Sequence, residues 1–266
     1  MLLSVLTPTF NCAKTLSATL QTVHELEGFF PHMVEHLIGD AGSTDGSIEI
    51  ISQYSAQSTW VKSYALAGLN IPETLNKLLF HASGRWIVVL NGDDFFIVKN
   101  VVTLLGKIFP EEPSILCGQV SVISFEGALI GYRDCDPSRL DKFMSINHPA
   151  MIVDKRLFTK IGNFDETTPV TYDYLWTWRA FRAGTPFIKQ ELIIASARLG
   201  GISQTRAHQG AKEILGSKIK SGVFFVPLMV YILFLSKLFF RKLLPVSLAG
   251  LVTQAYRKIK GSIEHY

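Results

Sequence analysis

The sequence predicts a doubly wound α/β fold, a mostly parallel sheet with helices on both faces. Three observations carry this. Between residues 2 and 91, short apolar runs alternate with helix-period segments, in the order strand, helix, strand, helix, strand, helix, strand. Thr9, Asp40 and the Asp93-Asp94 pair all lie just past strand ends, and in parallel sheets ligands bind beyond the carboxyl ends of the strands. The 266 residues are 48% hydrophobic and 18% charged, enough apolar mass for one large domain and too apolar for a disordered chain.

Each element has its own justification. Leu2–Leu6 reads as a buried strand ended by Thr7-Pro8-Thr9. Residues 14–27 place Leu16, Leu20, Val23 and Leu26 on one helical face. Residues 34–40 form a second strand, "AGSTDGS" a polar loop, and residues 47–57 a second helix. A strand over 60–66 and a helix over 72–82 follow, the helix stopped by Gly84. "RWIVVLN" (85–91) is the fourth strand. Beyond it the pattern predicts a helix over 100–109, strands near 115–124 and 128–133, and helices over 154–162 and 172–184, the last ended by Gly184.

Cys12, Cys117 and Cys135 are odd in number and far apart, which fits neither a disulfide framework nor a metal knuckle. They read as small buried side chains in a reducing compartment. The opening "MLLSVLTPTF" lacks a basic leader and reads as a first strand, so a cytoplasmic protein is expected.

The net charge of +4 is unevenly distributed. Residues 206–266 carry ten Lys or Arg and two acids, a net +8, which leaves −4 on residues 1–205. A mildly acidic body with a basic, apolar tail points to an anionic membrane surface, not to nucleic acid. "VFFVPLMVYILFLSKLFF" (223–240) is flanked by Lys218 and Lys220 before and Arg241 and Lys242 after. As a helix it would run about 27 Å, short of a hydrocarbon core of roughly 30 Å. Positive charge on both sides favours an in-plane or re-entrant attachment over a span; packing on the body or a second protomer is the soluble alternative. The expected organisation is a catalytic domain over 1–215 and a membrane-associating helical tail over 216–266, peripherally attached.

Acids after strands are the candidate chemistry. Asp93 and Asp94 end the fourth strand, and two carboxylates suit Mg²⁺ or Mn²⁺, completed by substrate phosphates. A solvated turn is the plain alternative. Asp40 follows the second strand, where a carboxylate can accept from a base or a ribose; Asp45 reads as a helix cap. Thr9 lies on the same rim. Asn76 and Lys77 sit on the helix before the Asp93-Asp94 strand, the lysine as a point charge for a diphosphate or on a solvated face. Asp173 lies among aromatic residues at a helix start, open between a general base and an acid favoured by the helix dipole. His148 is a binding candidate.

Together these stretches resemble the inverting family 2 glycosyltransferases of GT-A fold, and more narrowly the branch that builds bacterial exopolysaccharide, colanic-acid-like or O-antigen repeats. The resemblance covers about residues 1–205. "SVLTPTFN" is similar to the opening strand and its T-x-N turn, which implies Thr9 and Asn11 as nucleotide-sugar contacts. "GDAGSTDGS" resembles the D-G-G-S-T-D-G loop and implies that Asp40 meets the base. "NIPETLNKLLFHASGRWIVVLNGDD" implies Asn76 and Lys77 near the nucleotide and Asp93-Asp94 as the metal site. "INHPAMIVDKRLFTKIGNFDE" and "YDYLWTWR" imply Asp173 as the base, with His148 and Arg179 on the acceptor side. Pro72, Glu73, Leu78, Pro149 and Leu175 depart from the pattern and bear on acceptor and donor specificity.

The implied activity moves a sugar from a nucleoside diphosphate, UDP being the commonest carrier, to a lipid-linked saccharide at the inner face of the cell membrane. A non-catalytic, membrane-bound sugar-nucleotide-binding scaffold is the alternative. A nucleotidyltransferase would need a basic Gly-rich loop after the first strand, and "TPTFNCAKT" is not one. A glycosidase fits poorly, because adjacent acids cannot flank a glycosidic bond.

Overall fold

The computed structural model describes residues 2–107, 110–223 and Tyr231. The first half builds the parallel part of the sheet. β1 (Leu3–Thr9), β2 (Val34–Asp40), β3 (Val61–Ala65) and β4 (Trp86–Val89) pair in the order β3-β2-β1-β4, all parallel. Their crossovers are α1 (Ala13–Phe29), α2 (Ser47–Ala56) and α3 (Ile71–His81). Side chains alternate across each strand. Leu6 and Ile87 therefore face one core with Leu75 and Leu78 of α3, while Val5 and Val88 face another with Val23 and Leu26 of α1. Two cores on two faces are what a doubly wound sheet requires. Leu16, Leu20, Val23 and Leu26 are all buried, as their spacing predicts.

The second half adds mixed pairing. After the two-residue β5 (Phe95–Phe96) come α4 (Val98–Leu105), β6 (Ile115–Ile123) and β7 (Leu129–Arg133). β8 (Met151–Asp154) enters antiparallel between β4 and β6, and β9 (Phe187–Arg198) pairs parallel to β6 and antiparallel to β5. α5 (Arg156–Ile161) and α6 (Tyr172–Arg182) cover one face. Gly184, at φ 73°, stops the chain after α6 in a conformation that side chains resist.

Three expectations need correction. β1 does not stop at Leu6. The Leu6 carbonyl accepts from Leu90 N–H on the β4 side, and that of Thr9 from Ala41 N–H on the β2 side. By alternation Pro8 faces the β4 side, where pairing has ended at Leu6, so its missing N–H breaks no ladder. The expected helix over 154–162 begins only at Arg156, because Met151–Asp154 is strand. Cys117 and Cys135 are buried as expected, and lie hydrogen-bonded side by side, but Cys12 is only half-buried.

The chain divides into two compact units, Met1–Thr205 and Arg206–Tyr266. The expected boundary at 215/216 falls inside α8 (Ala207–Lys220), which follows the short α7 (Ile202–Thr205). The expected apolar helix over 223–240 lies outside the described residues, save Val223 and Tyr231. Among the described residues no helix is long and apolar enough to cross a membrane.

Candidate active site

β1, β2 and β4 run in register, Leu3 opposite both Val34 and Trp86, so they end on one rim. Thr9 and Asp40 close β1 and β2, and the Thr9 hydroxyl donates to Asp40 Oδ2 at 3.0 Å. Asp40 Oδ1 accepts from the N–H groups of Gly42 and Ser43 at 2.9 and 2.8 Å, and Oδ2 from the Ser43 hydroxyl at 2.6 Å. These donors, with Thr9, take up both oxygens' lone pairs. Asp40 thus organises the loop after β2. Asn11, at φ 50°, accepts from Thr44 N–H at 2.9 Å through its side chain, and its own N–H donates to Ser43 Oγ at 2.8 Å. Asp45 accepts from Ala13 N–H at 2.9 Å and from the Ser47 hydroxyl at 2.6 Å, joining the starts of α1 and α2.

The paired aspartates leave the end of β4. Gly92 before them is pressed on α1: a Cβ there would lie 2.7 Å from Cys12 Sγ. Asp94 is only 5% exposed. Its Oδ2 accepts from Asn91 Nδ2 at 3.2 Å and its Oδ1 from Arg198 N–H at 3.1 Å. Burial first, and the adjacent Asp93 charge second, push its carboxyl up to about 8. Burial also raises Asp93, against the pull of its own backbone and of Arg198.

Asp173 reaches the same rim by another route. β8 pairs antiparallel with β4, Val88 opposite Ile152, so the turn His148–Ala150 before β8 sits beside the exit of β4. His148 packs edge-on against Tyr172, ring centroids 5.6 Å apart, and Tyr172 opens α6 directly before Asp173. Asp173 bears on the protonation of both His148 and Tyr172, and Asp93 and Asp94 bear on Tyr172 as well. Burial holds the His148 imidazole below its ordinary value and raises the Tyr172 phenol. Two neutral rings therefore lie among three carboxylates.

Three of the candidates are engaged or placed elsewhere. Asn76 donates through Nδ2 to Phe164 O at 3.0 Å and Glu166 Oε1 at 2.9 Å, and accepts from Phe164 N–H at 3.1 Å. It clamps α3 to the loop before α6. Lys77 is exposed on α3. Arg179 donates to the carbonyls of Ile161 and Asn163 at 3.3 and 2.6 Å. It lies six residues beyond Asp173, about 9 Å along the axis, and fastens α6 to the end of α5.

Arg198 was not foreseen. β5 and β9 pair with Phe95 opposite Ser196, which carries Arg198 back to the aspartates. Its guanidinium donates to Phe125 O at 2.6 Å and Ser124 O at 3.3 Å, and its Nε is buried without a hydrogen-bond partner. The signal was there in part: a mostly apolar run, Leu192 to Ala197, followed by one cation.

The residues fit a hard divalent cation. Asp93 and Asp94 offer carboxylate oxygens in a nearly dry corner, and each Asp94 oxygen keeps a lone pair beyond its hydrogen bond. Among the described residues no three His, Cys, Asp or Glu side chains are placed to hold a metal ion by themselves. Two carboxylates completed by substrate phosphates are the usual pattern for Mg²⁺.

A doubly wound sheet with carboxylates on its rim defines an α/β enzyme-like class. The model for "Glycosyl transferase family 2" matches residues 4–182, and the chain belongs to that family. It is 26% identical over 121 residues to a cholesterol galactosyltransferase of Borreliella burgdorferi, covering 44% of this chain and 32% of that protein. It is 29% identical over 100 residues to an uncharacterized glycosyltransferase of Mycoplasma pneumoniae, covering 37% and 33%. The matched stretches thus span about a third of each relative. Staphylococcus aureus TarS 1–349 in complex with UDP-GlcNAc superposes with a TM-score of 0.65 at 16% identity, over 82% of this chain and 66% of that one. The mannosyltransferase PcManGT of Pyrobaculum calidifontis, with GDP-Man and Mn²⁺, gives 0.61 at 15% identity, over 99% and 80%. At these identities the likeness is one of fold.

Proposed function

We propose that the chain is an inverting glycosyltransferase that moves a sugar from a nucleoside diphosphate to a saccharide acceptor. One observation supports the reading: Asp93 and Asp94 after β4 and Asp173 at the start of α6 all act on the Tyr172 phenol. Asp173 takes the proton of an acceptor hydroxyl. The hydroxyl oxygen then attacks the anomeric carbon, and the bond to the diphosphate oxygen breaks with its electron pair leaving on the diphosphate. One displacement inverts the configuration, with no covalent glycosyl-enzyme. Mg²⁺ or Mn²⁺ on Asp93 and Asp94 would offset the charge on the departing diphosphate. Asn91 and the Arg198 N–H hold Asp94 in place for that task. Thr9, Asn11 and Asp40 shape the loop beside the nucleotide.

The donor carrier is read as UDP, with GDP and dTDP as alternatives. The acceptor is read as a lipid-linked saccharide of bacterial surface polysaccharide synthesis. The basic, apolar tail supports attachment to the cytoplasmic face of the membrane.

Calorimetric titration of the full chain with UDP, GDP and dTDP, each with and without Mn²⁺, tests the reading. Metal-dependent binding of one nucleotide is expected. A folded chain that binds none would move the assignment to a non-catalytic scaffold.

A further inference from the structure

β7 and the turn that joins it to β6 carry apolar side chains that the fold does not use. Phe125, Leu129, Ile130 and Tyr132 are 56%, 56%, 55% and 62% exposed. Leu129 and Ile130 are adjacent on one strand and so point to opposite faces, yet both lie in solvent. β6 is buried in the sheet, while β7 and its turn stand off the body. Among the described residues β7 pairs only with β6, leaving its outer edge open. An exposed apolar edge is a liability unless something covers it.

The hairpin is also tied to the rim. The Arg198 guanidinium donates to the carbonyls of Ser124 and Phe125, and the Arg198 N–H donates to Asp94. One residue thus fastens the hairpin turn to the paired aspartates.

Two occupants can be weighed by area. Taking roughly 200 Å² per side chain, the middle of the range for aromatic residues, as a common figure, the four expose about 450 Å². That is little more than half of the roughly 800 Å² each partner gives to a stable protein interface. A second copy of this chain paired along the five residues of β7 is therefore too small by itself. A bilayer needs no shape match, only apolar tips with amphipathic residues behind them. Tyr132 and the exposed Arg133 supply these at the foot of the hairpin. The turn's acid, Glu126, is fully exposed, its carboxyl held down by its own backbone N–H and by the Ser124 side chain, with the Arg198 charge adding least.

We propose that the 124–133 hairpin dips into the bilayer surface beside the catalytic rim, so that a lipid-borne acceptor meets Asp173 where its saccharide leaves the membrane. The inference rests on the glycosyltransferase reading and adds the surface through which the catalytic unit itself touches lipid.

The test uses the full chain carrying Ile130→Trp, with the four native tryptophans as baseline. It is mixed with vesicles of phosphatidylcholine and phosphatidylglycerol, with and without bromine on the acyl chains. The added tryptophan should lose about half of its emission on brominated vesicles, because interfacial insertion reaches roughly 5–10 Å into the acyl boundary. A chain that sediments with the vesicles while this emission is unquenched overturns the proposal. So does a chain that does not sediment. A blue-shifted tryptophan without vesicles, with a doubled mass, also overturns it in favour of a second copy. Titration of the native chain with UDP and Mn²⁺ runs in parallel: its failure strikes the glycosyltransferase reading, whereas unquenched emission with intact nucleotide binding strikes the hairpin alone.

Discussion

Asp94→Ala removes a carboxylate that two donors hold beside Asp93. Metal-dependent nucleotide binding should be lost, and transfer with it. Asp173→Ala removes the proton acceptor and leaves the metal corner intact. Its turnover should fall by about 10²- to 10⁴-fold, the range for a positioned base, while calorimetry shows unchanged nucleotide binding. Full transfer by either variant would refute its role. The two acids were legible because each follows a strand or opens a helix in a recognisable run. Arg198 was not, because its position depends on the β5–β9 register, which no local pattern encodes. Asp40 was legible as a rim acid, but its donors were not: they depend on how Gly42 and Ser43 turn back over it.

Asn76 is where element packing and site geometry join. Its amide makes three hydrogen bonds to the 164–166 loop, and Asn70 adds a fourth at 3.1 Å to Glu166 O. That loop leads into α6, so α3 and α6 are set against each other through it. Asn76→Ala strands the Phe164 N–H and carbonyl, a cost of about 1–3 kcal/mol for half-buried groups. Urea unfolding should show this loss, and turnover should fall as Asp173 shifts, with nucleotide affinity little changed. Lys77→Ala, on the exposed side of α3, should leave stability within about 0.5 kcal/mol. If Asn76→Ala instead weakened nucleotide binding at full stability, Asn76 would be a nucleotide ligand and not a clamp. At this scale the first four strands and three helices were readable, since periodicity and turn residues agree there. β8 was hidden by its four-residue length and its fusion to α5. β9 was hidden because only its Ile194–Ser196 stretch is buried, so its twelve residues show no clean alternation.

Over the whole catalytic unit, stability should respond to acid through a histidine the chemistry does not use. His36 lies in β2, fully buried, with Nε2 2.8 Å from Thr7 Oγ1 and Nδ1 3.3 Å from Tyr54 Oη. Burial pulls its imidazole down to about 3. In the unfolded chain it titrates near 6.5. A depressed histidine adds no penalty above the unfolded value and costs stability as pH falls from there toward the folded one. From pH 7 to pH 5 the cost is about 2 kcal/mol, because the unfolded chain gains a proton that the folded chain refuses. His148, also buried and depressed, acts in the same direction. Asp94, pushed upward, acts in the opposite one, since its folded carboxyl takes up a proton before the unfolded chain does. Glu35 and Asp154 are depressed carboxylates and matter only nearer pH 4. The absolute pH slope is therefore mixed, and the difference between two chains is the readout. His36→Gln keeps a polar group beside Thr7 and cannot titrate. Urea unfolding of both chains at pH 7 and pH 5 should show the native chain losing about 2 kcal/mol relative to the variant. Parallel losses in the two chains would mean that water reaches the imidazole and that the sheet is looser at β2 than its burial implies.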